Sequence, residues 1–169
     1  MTVRKTPGSF SRTKALAGKA RAAATQAVEA VDAGFLESLI GYSLRRASLA
    51  MTGVSADRMQ GFDLKIAEFS LLSLVGRNPG VTSRQLCAAL DLLPPNMVGM
   101  IDALVGRGLL ERRPHPSDGR AMGLYLTAQA EGLVHEAEQQ IQASEKAAVQ
   151  HWSAAEQKQL LQLLQKLYR

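Results

Sequence analysis

Residues 81–127 (VTSRQLCAALDLLPPNMVGMIDALVGRGLLERRPHPSDGRAMGLYLT) constrain the fold of this chain more than any other stretch. Thr82 stands just before a run of helical period, with Gln85 three residues later. That is the spacing of a capping box, in which the hydroxyl and the side-chain amide each satisfy an orphan backbone donor. Leu86, Cys87 and Leu90 keep the period. After a break at Asp91 to Leu93, Pro94 and Pro95 stand where a second helix would start. Proline is tolerated there because its missing N–H has no helical partner in any case. Met97, Met100, Ile101 and Leu104 give this helix one apolar face, and Gly106 and Gly108 supply its stop. Leu109 to Arg113 and Met122 to Leu126 then read as two short strands. They flank Pro114-His115-Pro116-Ser117-Asp118-Gly119, a loop of turn formers edged by arginines. Two helices about a tight turn, followed by a basic hairpin, predict a winged helix-turn-helix. Such a unit places its second helix in a DNA major groove and its hairpin over the adjacent minor groove.

The run GLLERRPHPSDGRAMGLYLTAQAEGL also resembles the wing of MarR-type bacterial transcriptional regulators, including the Asp118-x-Arg120 pair and the closing Leu126-Thr127. The resemblance extends, more loosely, from about Phe35 to the C-terminus. It implies that Arg120 is the residue inserted into the groove and that Asp118 holds the loop and its arginine. It implies further that the first helix and the last two interlock with those of a second subunit. Members of this family commonly bind small aromatic or phenolic acids in a cleft between the first helices and the DNA-reading lobe. Relatives usually place Ser and Thr in the first turn of the second helix and an Arg where Gly99 stands here. This chain departs from that pattern and so has fewer polar readers.

The candidate DNA contacts follow from residue chemistry. Asn96 is the one side chain early in the second helix able to pair with a base edge, and Asn suits the donor and acceptor of adenine. It could equally be a helix-start residue contacting only backbone. Val98 suits a thymine methyl, and Pro94, Pro95 and Gly99 complete the approaching surface. With so few readers, specificity would rest more on Ser83 and Arg84 of the preceding helix, on the wing arginines Arg112, Arg113 and Arg120, or on DNA shape.

Along the rest of the chain, residues 1–34 read as a basic, Ala-rich arm, partly disordered or helical. Its first 28 residues hold six Lys and Arg and no acid, which fits either a phosphate-gripping arm or a solubilising tail. Residues 35–169 form the expected main domain: a DNA-reading lobe over 62–127, and dimerisation helices over 35–52 and 128–169. The periodicity predicts a first helix over Phe35 to Met51 with Leu36, Leu39, Ile40, Leu44 and Ala47 as its stripe. Gly53 to Gly61 then reads as a loop, and Phe62 as the start of a second helix. Thr127 is positioned to cap a long helix to about Gln150, and Ser153 with Glu156 to open a last one. Leu160, Leu161, Leu163, Leu164 and Leu167 recur there at helical spacing. Such a wide stripe on a terminal helix is most economically covered by a second copy of the chain, with Leu160, Leu164 and Leu167 as the contact; packing on its own core is the alternative.

An effector site is expected on the first helix. Tyr42 and Arg46 are four residues apart, and Arg45 lies one turn from Gly41. An arginine beside a tyrosine can pair with the carboxylate of an aromatic acid. The same arginines would serve equally well in interface or surface ion pairs.

Composition excludes more than it selects. The fold class is mainly α with one small β element. Twenty Lys and Arg against fifteen Asp and Glu favour a polyanionic partner, here double-stranded DNA. The single cysteine, Cys87, allows no intrachain disulfide and sits on an apolar helix face. No apolar run approaches a membrane span or a signal core, so a cytoplasmic bacterial protein with no membrane partner is expected. His115, His135 and His151 lack metal-ligand spacing, and no nucleophile or phosphate-loop motif occurs, so no metal, no cofactor and no catalysis are expected. The sequence reads best as a ligand-responsive repressor that forms homodimers. A nucleoid-type architectural protein without effector and a protein-docking module are the alternatives from other classes.

Overall fold

The computed structural model describes residues 31–115 and 121–169. Residues 1–30 of the arm expected over 1–34, and the wing tip with Asp118 and Arg120, lie outside the described residues. The chain divides into two compact units, residues 1–44 and 45–169. In the first, a single helical turn, α1 (Gly34–Glu37), precedes the start of α2 (Ile40–Gln60). The uninterrupted helix expected over Phe35 to Met51 is therefore broken at Ser38 and Leu39. Ser38 Oγ donates to the carbonyl of Phe35 at 2.7 Å, a local bond of the kind that competes with helix continuation.

In the second unit α2 continues to Gln60, and the loop expected over Gly53 to Gly61 is helical almost throughout. One exposed glycine costs a helix only about 1 kcal/mol. Burial of Met59 and Ser55 on one face outweighs it. The helix stops where Asp63 takes a left-handed conformation (φ 51°) and the Leu64 N–H returns to the Met59 carbonyl at 3.1 Å. The next helix, α3 (Ile66–Arg77), accordingly begins four residues later than expected. Glu68 reaches back to accept the Lys65 N–H at 2.9 Å.

The expected helix-turn-helix and hairpin form as their sequence signals require. Thr82 and Gln85 make the capping box of α4 (Ser83–Leu90), and Asp91 closes that helix in the left-handed region. Pro94 and Pro95 occupy the first two positions of α5 (Pro94–Gly106), and Met97, Ile101 and Leu104 are its buried face. Gly108 (φ 69°) turns the chain into β1 (Leu110–Pro114), which pairs antiparallel with β2 (Met122–Leu126) in the register Leu110–Leu126, Arg112–Leu124, Pro114–Met122. Then come α6 (Ala128–Ala148) and α7 (Ala154–Tyr168). The Thr127 hydroxyl accepts the Ala130 N–H at 3.2 Å and donates to the Gly108 carbonyl at 2.8 Å.

The core lies where α3 meets α6, α4 and β2, and where α5 meets α4 and β1. Leu71, Leu72 and Val75 of α3, Leu86, Leu104, Leu110 and Leu124, and Ala130, Val134 and Ala137 of α6 fill it. Each buried Leu contributes about 1.5–3 kcal/mol from transfer out of water. Cys87 is packed partly against this cluster, as a small apolar residue. By contrast α7 contains no buried residue. Leu160, Leu161, Leu163 and Leu167 are between 39% and 62% exposed, and Gln157, Leu164 and Gln165 are half-buried.

Candidate nucleic-acid interface

Burial divides α5 into two faces. Met97 is fully buried, whereas Pro94, Pro95, Asn96, Val98 and Gly99 are all exposed, Val98 by 50%. Ser83 and Arg84, at the start of α4, are exposed as well. The two prolines remove two backbone donors from the start of α5, so side chains and the wing must supply polar contact that a helix N-terminus would otherwise offer.

The wing is held to this lobe by backbone on both edges of β2. One edge pairs with β1. On the other, Val81 bridges Leu124: the Leu124 N–H donates to the Val81 carbonyl at 3.0 Å, and the Gly80 N–H donates to the Leu124 carbonyl at 2.9 Å. This close crossing requires a bare backbone, because a Cβ on Gly123 would lie 2.8 Å from the Gly80 carbonyl oxygen.

Two of the expected wing cations are exposed and already engaged with other side chains. Arg112 pairs with Asp102 on α5. Arg113 pairs with Glu111, and its guanidinium lies 4.9 Å over the Tyr125 ring. Asp102 escaped the sequence reading. The available signal was a carboxylate four residues after Val98, on the outer face of an otherwise uncharged helix.

The expected effector residues are distributed differently. Tyr42 is half-buried in the first unit, whereas Arg45 and Arg46 are exposed at the start of the second. Within the second unit a cleft of about 350 Å³ opens between α3, the wing and α6, lined by Ser73, Arg77, Arg113, Tyr125, His135 and Glu138 among others. On its wall the Glu138 carboxylate accepts from Ser73 Oγ at 2.6 Å and from Arg77 at 2.8 Å. These partners are more than sixty residues apart, so no local spacing reveals them. The Glu156 carboxyl is held below its ordinary range by the Ser153 hydroxyl and backbone N–H, from which it accepts. No group of three metal-ligating side chains occurs among the described residues, nor is any single helix there long and apolar enough to cross a membrane.

Comparison with known proteins identifies this arrangement. Residues 62–121 match the model of the MarR family. The transcriptional repressor CouR, solved on a 23-mer DNA duplex, superposes with a TM-score of 0.77 at 32% identity, covering 83% of this chain and all of the relative. CouR from Rhodococcus jostii RHA1, solved with p-coumaroyl-CoA, gives a TM-score of 0.73 at 26% identity, with 78% of this chain and 93% of the relative covered. The repressor Rv2887 of Mycobacterium tuberculosis is 25% identical over 128 residues, 76% of this chain and 92% of its own. Its complex with salicylic acid superposes with a TM-score of 0.62. These are regulators and not enzymes. The chain belongs to the MarR family of winged helix-turn-helix transcriptional regulators.

Proposed function

We propose that the protein is a dimeric repressor that reads a pseudo-palindromic operator and leaves it when a small aromatic acid binds. The observation that carries the DNA-reading part is the exposed row of Pro94, Pro95, Asn96, Val98 and Gly99 along the start of α5, on the same lobe as an arginine-bearing wing. In this reading Asn96 pairs with an adenine and Val98 meets a thymine methyl. Ser83 and Arg84 hold the backbone, and Arg113 and Arg120 serve the minor-groove side with Asp118 shaping the tip. The 62–127 lobe does the reading, residues 1–34 add cationic contacts, and the 35–52 and 128–169 helices join two copies. The exposed leucines of α7 support the last assignment, since Leu160 and Leu167 are 39% and 62% exposed and Leu164 beside them is only half-buried. Half-sites then fall about one helical turn apart, roughly 34–36 Å.

An aromatic acid as effector is supported by the salicylic acid complex of Rv2887, and an aromatic group in the pocket also by the complex of CouR with p-coumaroyl-CoA, an aromatic acyl thioester. Arg45 and Arg46, with Tyr42 close in sequence, are the residues we assign to the carboxylate and ring. Such an acid releases DNA only if it binds the released conformation more tightly than the bound one.

The test is selection of duplexes from a random-sequence pool, followed by titration with salicylate and p-coumaroyl-CoA. A repressor enriches a two-fold-related sequence, prefers it over random DNA by about 10³-fold or more, and is displaced by at least one of these two aromatic compounds. Equal affinity for selected and random duplexes would make the protein an architectural DNA binder instead.

A further inference from the structure

The outer face of α5 carries a charge of the wrong sign for its partner. Pro95, Val98 and Asp102 follow one another at spacings of three and four, so Asp102 continues the exposed row assigned to DNA. A bare carboxylate there would repel phosphate. It is not bare: it accepts from Arg112, which stands in the middle of β1 opposite the buried Leu124. Asp102 is 58% exposed and Arg112 38%, and an ion pair so exposed adds little to fold stability. Its consequence is geometric. The backbone pairing of Val81 with Leu124 fixes the far edge of the wing, but that bond set lies away from the recognition helix. The Arg112–Asp102 pair joins α5 to β1 through side chains.

We infer that Asp102 is a positioning residue for DNA reading: by holding Arg112 it couples the recognition helix to the wing, so that both meet DNA as one body, and it cancels its own repulsion of the backbone. This inference rests on the DNA-binding reading above. It assigns Arg112 to the helix–wing joint and not to a groove.

Charge and position make opposite predictions here, which allows a clean test. Native protein, Asp102→Asn, Arg112→Gln, the double variant and Asp102→Glu are titrated with two probes. One is a duplex enriched by native protein from the random pool, and the other is a scrambled duplex of the same composition. Thermal melting of each variant verifies the fold. With Asp102 as a positioning residue, Asp102→Asn binds the enriched duplex about tenfold more weakly, mid-range for coupled residues in one ion pair. It binds the scrambled duplex as well as native protein or better, having lost a negative charge. The double variant is no worse than the weaker single, and Asp102→Glu recovers part of the selectivity. Tighter binding of both duplexes by Asp102→Asn would overturn the proposal, leaving Asp102 as a repulsive charge only. So would a native-like Asp102→Asn beside an Arg112→Gln that weakens both duplexes, since Arg112 would then be a phosphate contact. If native protein enriches no sequence and binds neither duplex, the DNA-binding reading itself falls, and that is visible before any variant is made.

Discussion

Replacing Gly123 with Ala puts one methyl group at the tightest backbone crossing in the lobe. Its carbon would sit 2.8 Å from the Gly80 carbonyl oxygen, 2.9 Å from Gly80 Cα and 3.1 Å from its carbonyl carbon. None of these is the end of a flexible side chain, so relief requires moving backbone. Gly80 is poorly placed to move, being buried at φ 88° with its N–H bonded to Leu124. Overpacking of this kind costs about 1–3 kcal/mol. Separation of the two segments would also strain the Gly80–Leu124 and Leu124–Val81 hydrogen bonds, each worth about 0.5–1.5 kcal/mol net. The upper half of the overpacking range is therefore expected. For a chain of this size each kcal/mol moves Tm by about 2–4 °C, so at a fixed protein concentration the variant should melt roughly 4–12 °C lower. Gly132→Ala is the control: it lies on the exposed side of α6 with nothing within 4 Å of its Cβ, and should gain about 0.5–1 kcal/mol. Equal melting temperatures for native protein and Gly123→Ala would refute the claim that the crossing is rigid.

Three further outcomes are expected. Leu160→Ala/Leu164→Ala should abolish the dependence of Tm on protein concentration that an obligate dimer shows; a native protein that sediments as a monomer at micromolar concentration contradicts the dimer directly. Asn96→Ala should relax preference at one base pair per half-site, with about 1–3 kcal/mol of discrimination lost there and little change on random DNA. Glu156 has a depressed folded-state pKa, set first by the Ser153 hydroxyl, so its contribution is fully present above the ordinary glutamate range and disappears as pH falls through the lowered value. Glu156→Gln should flatten that acid limb in a helicity titration, and an unchanged acid limb would remove the cap from the account.

Local chemistry was the legible part of this chain. Thr82 with Gln85, the paired prolines, Thr127, and Ser153 with Glu156 each act over three or four residues, and each begins a helix where its spacing requires. The end of α2 was not legible. Whether Gly53 breaks a helix depends on what Ser55 and Met59 can bury against, which is a tertiary fact. Phe62 continued an apolar pattern but belongs to a turn set by the left-handed Asp63. Leu71, hidden between Ser70 and Leu72, is as buried as any residue described, because α3 is covered from several sides and its apolar arc is wider than one stripe. At the candidate site, residue types pointed to α5 and the wing. The pairing of Arg112 with Asp102 and the hold of Ser73 and Arg77 on Glu138 arise only when distant segments meet.

The hydroxyl of Thr127 ties three segments at one point. It donates to Gly108 at the exit from the recognition helix and accepts from Ala130 in the first turn of α6, while the Thr127 N–H itself donates to Leu109. All three bonds meet at one residue, so the foot of the wing and the start of α6 are expected to open together. Amide exchange at Thr127 and Ala130 then reports a shared event with a single opening free energy. Strain applied along α6 has a route to the exit of α5 through these three hydrogen bonds, beside the core contacts of Ala130 and Leu109.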